Sequence, residues 1–497
     1  MIRNQFLLDI HEELIVDNFA GGGGASTGIE MALGRSVDIA INHDAEAVEM
    51  HKANHPQTQH YCEDVFQINP IRITNGRPVG IAWFSPDCKH FSKAKGGRPR
   101  SKKIRGLAWV MLRWAATVRP RVMVLENVEE FQTWGPLLPD GQPCAKRKGK
   151  TFFSFIFQLR ELGYEVEWRE LRACDYGAPT IRKRLFLIAR CDGRKIAWAE
   201  PSHGSPISEG VRKKRLKPWR TAAECIDWTL PCPSIFERKK PLVEATLRRI
   251  ARGLRRFVVE AENPFIIPSF LTECAGVKGG HFALVSAFLA KHYTDQGQRP
   301  GAEVTEPLST ITARDHHSLI AVNLIRHFGQ STGQKISQPV PTVVANGGGK
   351  TGVMATYIMK MKGDNMGHAA DDPMHTITSG GMHFAEVRAF LIKYYGNEKE
   401  GVGLREPMHT VTAKDRLGLV VVRGENYFIA DIGMRMLQPH ELYAAQGFPE
   451  NYIIAPIIKG RPLGKVAQVR MCGNSVCPPV AQAIVAANVP EMGVMAT

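Results

Sequence analysis

The stretch Leu14-Ile15-Val16-Asp17-Asn18-Phe19-Ala20-Gly21-Gly22-Gly23-Gly24, continuing into Ala25-Ser26-Thr27-Gly28, decides the fold. A short apolar run ends in an acid and an amide and passes through four consecutive glycines. It then enters a segment, STGIEMALG, with the composition of a helix. The reading is a buried strand, a tight turn and a helix. Glycines let the backbone turn sharply and approach a ligand closely. In a doubly wound sheet such a turn lies at the carboxyl edge, where ligands bind. The spacing departs from the dinucleotide fingerprint, because Gly21 and Gly23 are followed by Ser26, and the preceding Asp-x-Phe has no place in that pattern.

Outward from this turn the same alternation continues to about residue 199. SVDIAIN, VGIAWFS, RVMVLENV, VEWREL and LFLIAR read as strands. AEAVEMHKAN, IRGLAWVMLRWAATV and TFFSFIFQLRELG read as helices, with apolar residues three and four apart in the last two. The expected fold class is α/β, a Rossmann-like doubly wound sheet.

The chain has 497 residues, 44% of them hydrophobic and 23% charged, which excludes a disordered or fibrous protein. Lys+Arg 64 against Asp+Glu 48 gives +16, a balance suited to a polyanionic partner. No uncharged apolar run approaches the length of a membrane span. Asp9, Glu12 and Glu13 interrupt the apolar N-terminal stretch and argue against a signal peptide. Ten scattered cysteines without a CxxC pair argue against a disulfide framework or structural zinc, so the expectation is a cytoplasmic protein without a metal.

Between Pro201 and Lys217 the composition turns to Pro, Ser, Gly and basic residues, which marks a domain boundary. The segment PLVEATLRRIARGLRRF, 241–257, reads as a basic helix; phosphate contact and a merely solvated face fit it equally well. Four related segments follow, EPLSTIT, QPVPTVV, DPMHTIT and EPMHTVT, with prolines at 307, 339, 373 and 407. Each has a strand-like run upstream that carries a basic residue, at Lys291, Arg326, Lys360 and Lys393. The period is near that of helical solenoids, but Pro- and Gly-punctuated β-rich units do not read as paired helices. The glycines at 347–349 before Lys350 and Thr351 fall short of a phosphate loop, since Val344 stands where its first glycine belongs. The expected domains are 1–205, a β-rich repeat-bearing insertion over 206–428, and a returning segment over 429–497.

Five positions carry candidate chemistry. Asp64, in Glu63-Asp64-Val65 after the third strand, suits an adenine amino group or a turn cap. Cys88, in Ser85-Pro86-Asp87-Cys88-Lys89-His90, follows a strand and precedes a loop rich in cations, and nearby positive charge favours the thiolate. Glu126 ends the apolar strand RVMVLENV, a setting that raises a carboxyl pKa and suits an acid. Arg182 and Arg184, two apart on an extended chain, point the same way and suit an anionic or carbonyl-bearing group.

Together and in order, DNFAGGGG, EDV, SPDCKHFS, ENV, GAPTIRKR, then RMLQPHEL, QGFP and GNSV resemble the C5-cytosine-specific DNA methyltransferases, notably phage and bacterial members with the SPDCKHFS variant. The resemblance covers roughly residues 13–199 and 430–490. It implies a catalytic domain that uses S-adenosylmethionine, a separate target-recognition domain, duplex DNA as partner and a monomer. Cys88 would be the nucleophile, Glu126 the acid facing the cytosine, and Arg184 a contact to the base with Arg182 in support. Asp17, Phe19, Gly21 and Gly23 would shape the methionine side of the cofactor pocket. Asp64 and Val65 would meet the adenine, and Asn474 and Val476 would close the pocket. The ribose acid of the family aligns with Asn42, with Asp44 two residues on. Lys93, Lys95, Arg98, Arg100, Lys102 and Lys103 would form a lid that contacts DNA. Four positions depart from the family pattern: Asn42 replaces the ribose acid, Asp87 a proline, Lys89 a glutamine, and Thr180 the glutamine before the Arg-x-Arg pair. The implied reaction is methyl transfer from S-adenosylmethionine to C5 of a flipped cytosine, as in restriction-modification systems. The same chemistry on RNA, or an inactive DNA-binding relative, are the alternatives.

Overall fold

In the computed structural model the described residues are 13–86, 106–138, 143–236, 238–254 and 425–494, with short stretches between 254 and 425 that include the strands named below. Cys88, the cationic loop from Lys93 to Lys103, the glycines at 347–349 and most of each repeat lie outside them. The chain divides into two units. The first comprises 1–226, 306–315 and 438–497, and the second 227–305 and 316–437.

In the first unit the strands are β1 (Leu14–Asn18), β2 (Ile39–Ile41), β3 (Gln59–Tyr61), β4 (Val79–Phe84), β5 (Val122–Asn127), β6 (Glu165–Arg172) and β7 (Lys183–Arg190). They form one sheet in the order β3-β2-β1-β4-β5-β7-β6. The first five run parallel, and β7 joins β5 and β6 antiparallel. The order reverses on either side of β1, so β1 and β4 flank the topological switch point, the usual ligand crevice of an open α/β sheet.

The helices are α1 (Gly24–Leu33), α2 (Ala45–Asn54), α3 (Trp109–Thr117), α4 (Lys150–Glu161), α5 (Pro439–Gln446), α6 (Lys465–Asn474) and α7 (Pro478–Asn488). Strands buried on both faces explain the near-continuous apolar runs of the sequence. Leu14, Val16, Ala82, Phe84, Met123 and Leu125 enter one core with Trp114 of α3 and Phe155 of α4. Their neighbours Ile15, Ile81, Trp83, Val122 and Val124 enter the opposite core with Ile29 and Leu33 of α1 and Val480 and Ile484 of α7. Each such fully buried side chain stabilises the fold by about 1.5–3 kcal/mol. The second core needs α7, which lies about 450 residues along the chain from α1 and packs directly on it.

The division does not follow the expected boundaries at 205/206 and 428/429. Residues 206–226 belong to the first unit, and a strand over Glu425–Met436 carries the second unit through residue 429. The first repeat segment also belongs to the first unit: Leu308 N–H donates to the Pro179 carbonyl at 2.8 Å, and Ile181 N–H to the Leu308 carbonyl at 2.7 Å. This strand-like docking takes Glu306–Asp315 out of the insertion.

The second unit holds a five-stranded antiparallel sheet whose central strands are Ala283–Lys291, His317–Arg326 and Glu425–Met436, with shorter strands beside them. The helix Glu244–Leu254 packs on the first of these strands. Lys291, Arg326, Lys360 and Lys393 each occupy the last position of a strand. Among the described residues, no helix is long and apolar enough to cross a membrane.

Gly28 lies where α1 crosses α7, and a Cβ there would meet the Pro478 carbonyl oxygen at 2.4 Å and Ala481 Cβ at 2.6 Å. Glycine-to-alanine changes inside helices ordinarily stabilise by about 1 kcal/mol. Here Gly28→Ala overpacks the contact, and urea unfolding is expected to show a loss of about 1–3 kcal/mol. A gain in stability would contradict the packing described for these helices.

Candidate functional site

The carboxyl ends of β1, β4 and β5 lie side by side because the three strands are parallel. Backbone and side-chain contacts knit them together: Ser85 N–H donates to the Asn18 carbonyl at 3.2 Å, and Asn127 Nδ2 donates to the Pro86 carbonyl at 3.2 Å. Ser85 and Pro86, which precede Cys88 in the sequence, are thus held at the strand edge that also holds Glu126. Cys88 itself lies outside the described residues, as do Lys93, Lys95, Arg98, Arg100, Lys102 and Lys103.

Glu126 is 6% exposed and sits one residue before the end of β5. Its register partner on β7 is Phe186, which brings the start of β7 beside it. Arg184 Nε lies 3.3 Å and Arg182 Nη2 4.0 Å from Glu126 Oε1. Burial raises the pKa of Glu126, the charges of Arg184 and then Arg182 lower it, and the net shift is upward. The group thus keeps a proton more readily than an ordinary glutamate while two cations face it. Arg182, 4% exposed, also donates from Nη1 to the Gly473 carbonyl at 3.0 Å. With Leu171, Phe186, Cys477 and Val480 these residues line a small cavity. Arg182 and Arg184 thus face one carboxylate of the protein itself, Glu126, where their spacing had suggested an anionic or carbonyl-bearing group of a substrate.

At the end of β1, Asp17 and Asn18 are fully buried. Asp17 Oδ1 and both polar atoms of the Asn18 side chain have no hydrogen-bond partner. Buried polar atoms are ordinarily paired, so these three fit the polar end of a ligand. Burial pushes the Asp17 carboxyl up to about 7, against the lowering effect of its hydrogen bonds from Ser26. Phe19, with φ 63°, and Gly21, with φ 55°, turn the chain through the left-handed region. Gly23 has φ 102°, and a Cβ there would meet both His55 Nε2 and the Tyr452 hydroxyl at 2.6 Å. Position 23 requires glycine on both counts.

Asp64 Oδ1 accepts from the Phe66 N–H at 3.1 Å, the geometry of a turn cap, while Val65 is 4% exposed and belongs to the core beneath. Asn42 Oδ1 accepts from the Asp44 N–H at 2.8 Å. Asp44 caps α2 through the Glu46 N–H at 3.1 Å and pairs with Arg470 of α6. Burial pushes its pKa up, but the hydrogen bond and charge of Arg470 and the backbone N–H groups of α2 outweigh this and hold it below the ordinary value. Asp44 is thereby occupied in joining α2 to α6. Asn474 is exposed at the end of α6, and Val476 is buried beneath α1.

Sequence reasoning did not single out His51, His55, Tyr452 or Arg470. His51, on α2, and His55, the residue that caps its C-terminal end, are four apart and lie beside the glycine turn. Tyr452 donates to the Gly22 carbonyl, and Arg470 reaches both Asp44 and Glu46. The i, i+4 histidine pair was the available signal; Tyr452 and Arg470 carried none. Among the described residues no group of three His, Cys, Asp or Glu is placed to hold a metal ion.

Comparison with known proteins adds a family. The C-5 cytosine-specific DNA methylase family matches residues 14–217 and 362–489. The chain is 31% identical over 193 residues to the type II methyltransferase M1.HphI of Haemophilus parahaemolyticus, covering 38% of this chain and 48% of that protein. It is 28% identical over 239 residues to M.AquIA of a Picosynechococcus strain, covering 44% of this chain and 90% of the relative. It is also 28% identical over 202 residues to M.AgeI of Thalassovita gelatinovora, covering 39% and 44%. The chain thus spans less than half the length of the first and third of these relatives.

Removing an adjacent cation raises the pKa of an acid. Arg184→Met is therefore expected to move the titration of Glu126 to higher pH, read from its side-chain carboxyl resonance by carbon NMR. An unchanged or lower value would mean that Arg184 does not act on this carboxylate.

Proposed function

Because the chain belongs to the C-5 cytosine-specific DNA methylase family, we propose that it is a DNA cytosine-5 methyltransferase that uses S-adenosylmethionine and acts on duplex DNA. The observation that carries this reading is Glu126, buried at the strand edge beside Arg182 and Arg184 and raised in pKa. Asn127 holds Pro86 at the same edge, and Cys88, the nucleophile in this reading, follows two residues later in the sequence.

Cytosine C5 is too weak a nucleophile to accept an alkyl group unaided. The Cys88 thiolate adds to C6, which moves electron density to C5. Glu126, holding its proton, donates to N3 and stabilises the charge that develops there. Arg184 contacts the base, and Arg182 holds Glu126 and the Gly473 carbonyl in register. After transfer, loss of the C5 proton and departure of the thiolate restore the aromatic ring. The donor would be held by Asp17, Asn18 and the turn from Phe19 to Gly23, with Val65 and Val476 beside it. Asp64 would meet the adenine, Asn42 the ribose, and Asn474 the rim. When bound, S-adenosylmethionine supplies an electrophilic methyl group on a sulfonium.

The target atom is out of reach in a stacked duplex, so the base is flipped into the site. Lys93, Lys95, Arg98, Arg100, Lys102 and Lys103 form the lid that contacts phosphates as it closes. Target recognition belongs to the second unit. Its strand-terminal Lys291, Arg326, Lys360 and Lys393 support a phosphate-contacting role, which gives binding that weakens steeply with salt.

Tritium transfer from labelled S-adenosylmethionine to duplex DNA and to RNA tests the assignment. The wild type is expected to label cytosine C5 in the duplex. Cys88→Ser is expected to abolish labelling while duplex binding persists, and Glu126→Gln to lower turnover about 10²–10⁴-fold with little change in cofactor affinity. Labelling of RNA alone would move the substrate, and near-normal turnover by Cys88→Ser would remove the nucleophile.

A further inference from the structure

Behind the glycine turn runs a line of polar contacts that the proposed reaction leaves unused. Asp17 Oδ2 accepts from the Ser26 hydroxyl at 2.8 Å. Ser26 Oγ lies 3.0 Å from His51 Nε2, and His51 Nδ1 lies 2.8 Å from His60 Nε2. Asp17, Ser26 and His51 are buried, while His60, on β3, is half-buried and has access to solvent. The line therefore leads from the floor of the turn to the surface.

Its polarity follows from the chemistry of each group. A hydroxyl that donates to Asp17 accepts from His51 Nε2–H. A neutral His51 then presents Nδ1 as an acceptor for His60 Nε2–H. Burial lowers the pKa of both imidazoles; His55 and His60 lower that of His51 further, and Lys52 adds to the effect at His60. They pass a proton on more readily than they keep one. The other charged or titratable groups around the line are Glu30 on α1, Glu49 on α2, His55 at the C-cap of α2, and Tyr452. The His55 ring lies 4.4 Å from that of His51, and its Nδ1 lies 2.9 Å from Glu30 Oε1.

We propose that Ser26, His51 and His60 form a proton relay to Asp17, and that the charge so placed beneath the turn makes the preference for the sulfonium donor over its thioether product depend on pH. This rests on the cofactor reading given above. The proton account closes. A solvent proton binds His60 Nδ1, His60 Nε2–H passes to His51 Nδ1, His51 Nε2–H passes to Ser26 Oγ, and the Ser26 proton passes to Asp17 Oδ2. Both imidazoles end neutral in the opposite tautomer, the serine is unchanged, and Asp17 has gained one proton. Ser26 and His51 are thus positioning residues, acting through Asp17.

The donor carries a positive sulfur and the product does not, while their adenosine and amino-acid parts are shared. An anionic Asp17 favours the donor selectively, and its Oδ1 is buried without a partner on the protein. Burial holds the Asp17 carboxyl at about 7, so the anion forms as pH rises through neutrality. The chain then discriminates for the donor above that pH and loses discrimination below it.

Two measurements on the full chain test this. Nitrogen NMR of the imidazoles, without ligand, is expected to show His51 and His60 switching from the Nε2–H to the Nδ1–H tautomer as pH falls through about 7, with neither ring gaining charge. The switch is expected to vanish in Asp17→Asn and in Ser26→Ala, so that failure of either variant to fold leaves the other. Calorimetric titration with S-adenosylmethionine and with S-adenosylhomocysteine is expected to show their Kd ratio moving about tenfold towards the donor across the same transition, the factor of one pKa unit, and staying flat in Asp17→Asn. No tautomer switch, protonated imidazolium rings, a switch that persists in Asp17→Asn, or a flat ratio in the wild type would each overturn the relay alone. If neither compound binds the wild type, the cofactor reading falls and the inference with it.

Discussion

The buried guanidinium of Arg182 holds together two parts of the first unit that are almost 300 residues apart. Through Nη1 it grips the Gly473 carbonyl at the end of α6, and through Nη2 it faces Glu126 on β5. A cation sealed from water needs such partners, since breaking a buried pair typically costs about 3–5 kcal/mol. The C-terminal segment must return to the sheet because both this charge and the open face of α1 require it. Glu126 in turn faces both guanidinium groups, Arg184 at 3.3 Å and Arg182 at 4.0 Å.

This constraint explains why the site is assembled at one sheet edge. Parallel strands bring Asn18, Pro86 and Asn127 together, and hydrogen bonds between them fix the spacing. The glycine turn follows the same edge, backed by His51 of α2 and its C-cap residue His55, and tied by the Tyr452 hydroxyl to the Gly22 carbonyl. Buried carboxyl groups therefore lie on both sides of the crevice. Glu126 lies beneath the proposed base and Asp17 beneath the proposed donor, each raised in pKa by burial.

Much of this was legible in the sequence, for a physical reason. Strands buried on both faces write themselves as uninterrupted apolar runs, so β1, β4, β5 and β7 stand out, and a strand that ends in Glu126-Asn127 or Asp17-Asn18 delivers polar groups to a defined edge. Arg182 and Arg184 were legible because a two-residue step on extended chain keeps side chains on one face. The contacts of Arg470 with Asp44 and of Tyr452 with Gly22 were not legible, because they join segments more than 400 residues apart through surface-type residues. The contact division differs from the expected boundaries for a similar reason. Leu308 reads as one of four equivalent repeat positions, and only its docking on Pro179 and Ile181 reveals that it belongs with the sheet.

The central claim is that this edge forms a transient covalent bond with a cytosine. Incubation with S-adenosylmethionine and a duplex carrying 5-fluorocytosine, followed by proteolysis and mass spectrometry, examines it most directly. Fluorine at C5 blocks the final elimination, so the account predicts a stable methylated adduct on the peptide containing residue 88. An active preparation that forms no adduct, or one that carries it on a different cysteine, would contradict it.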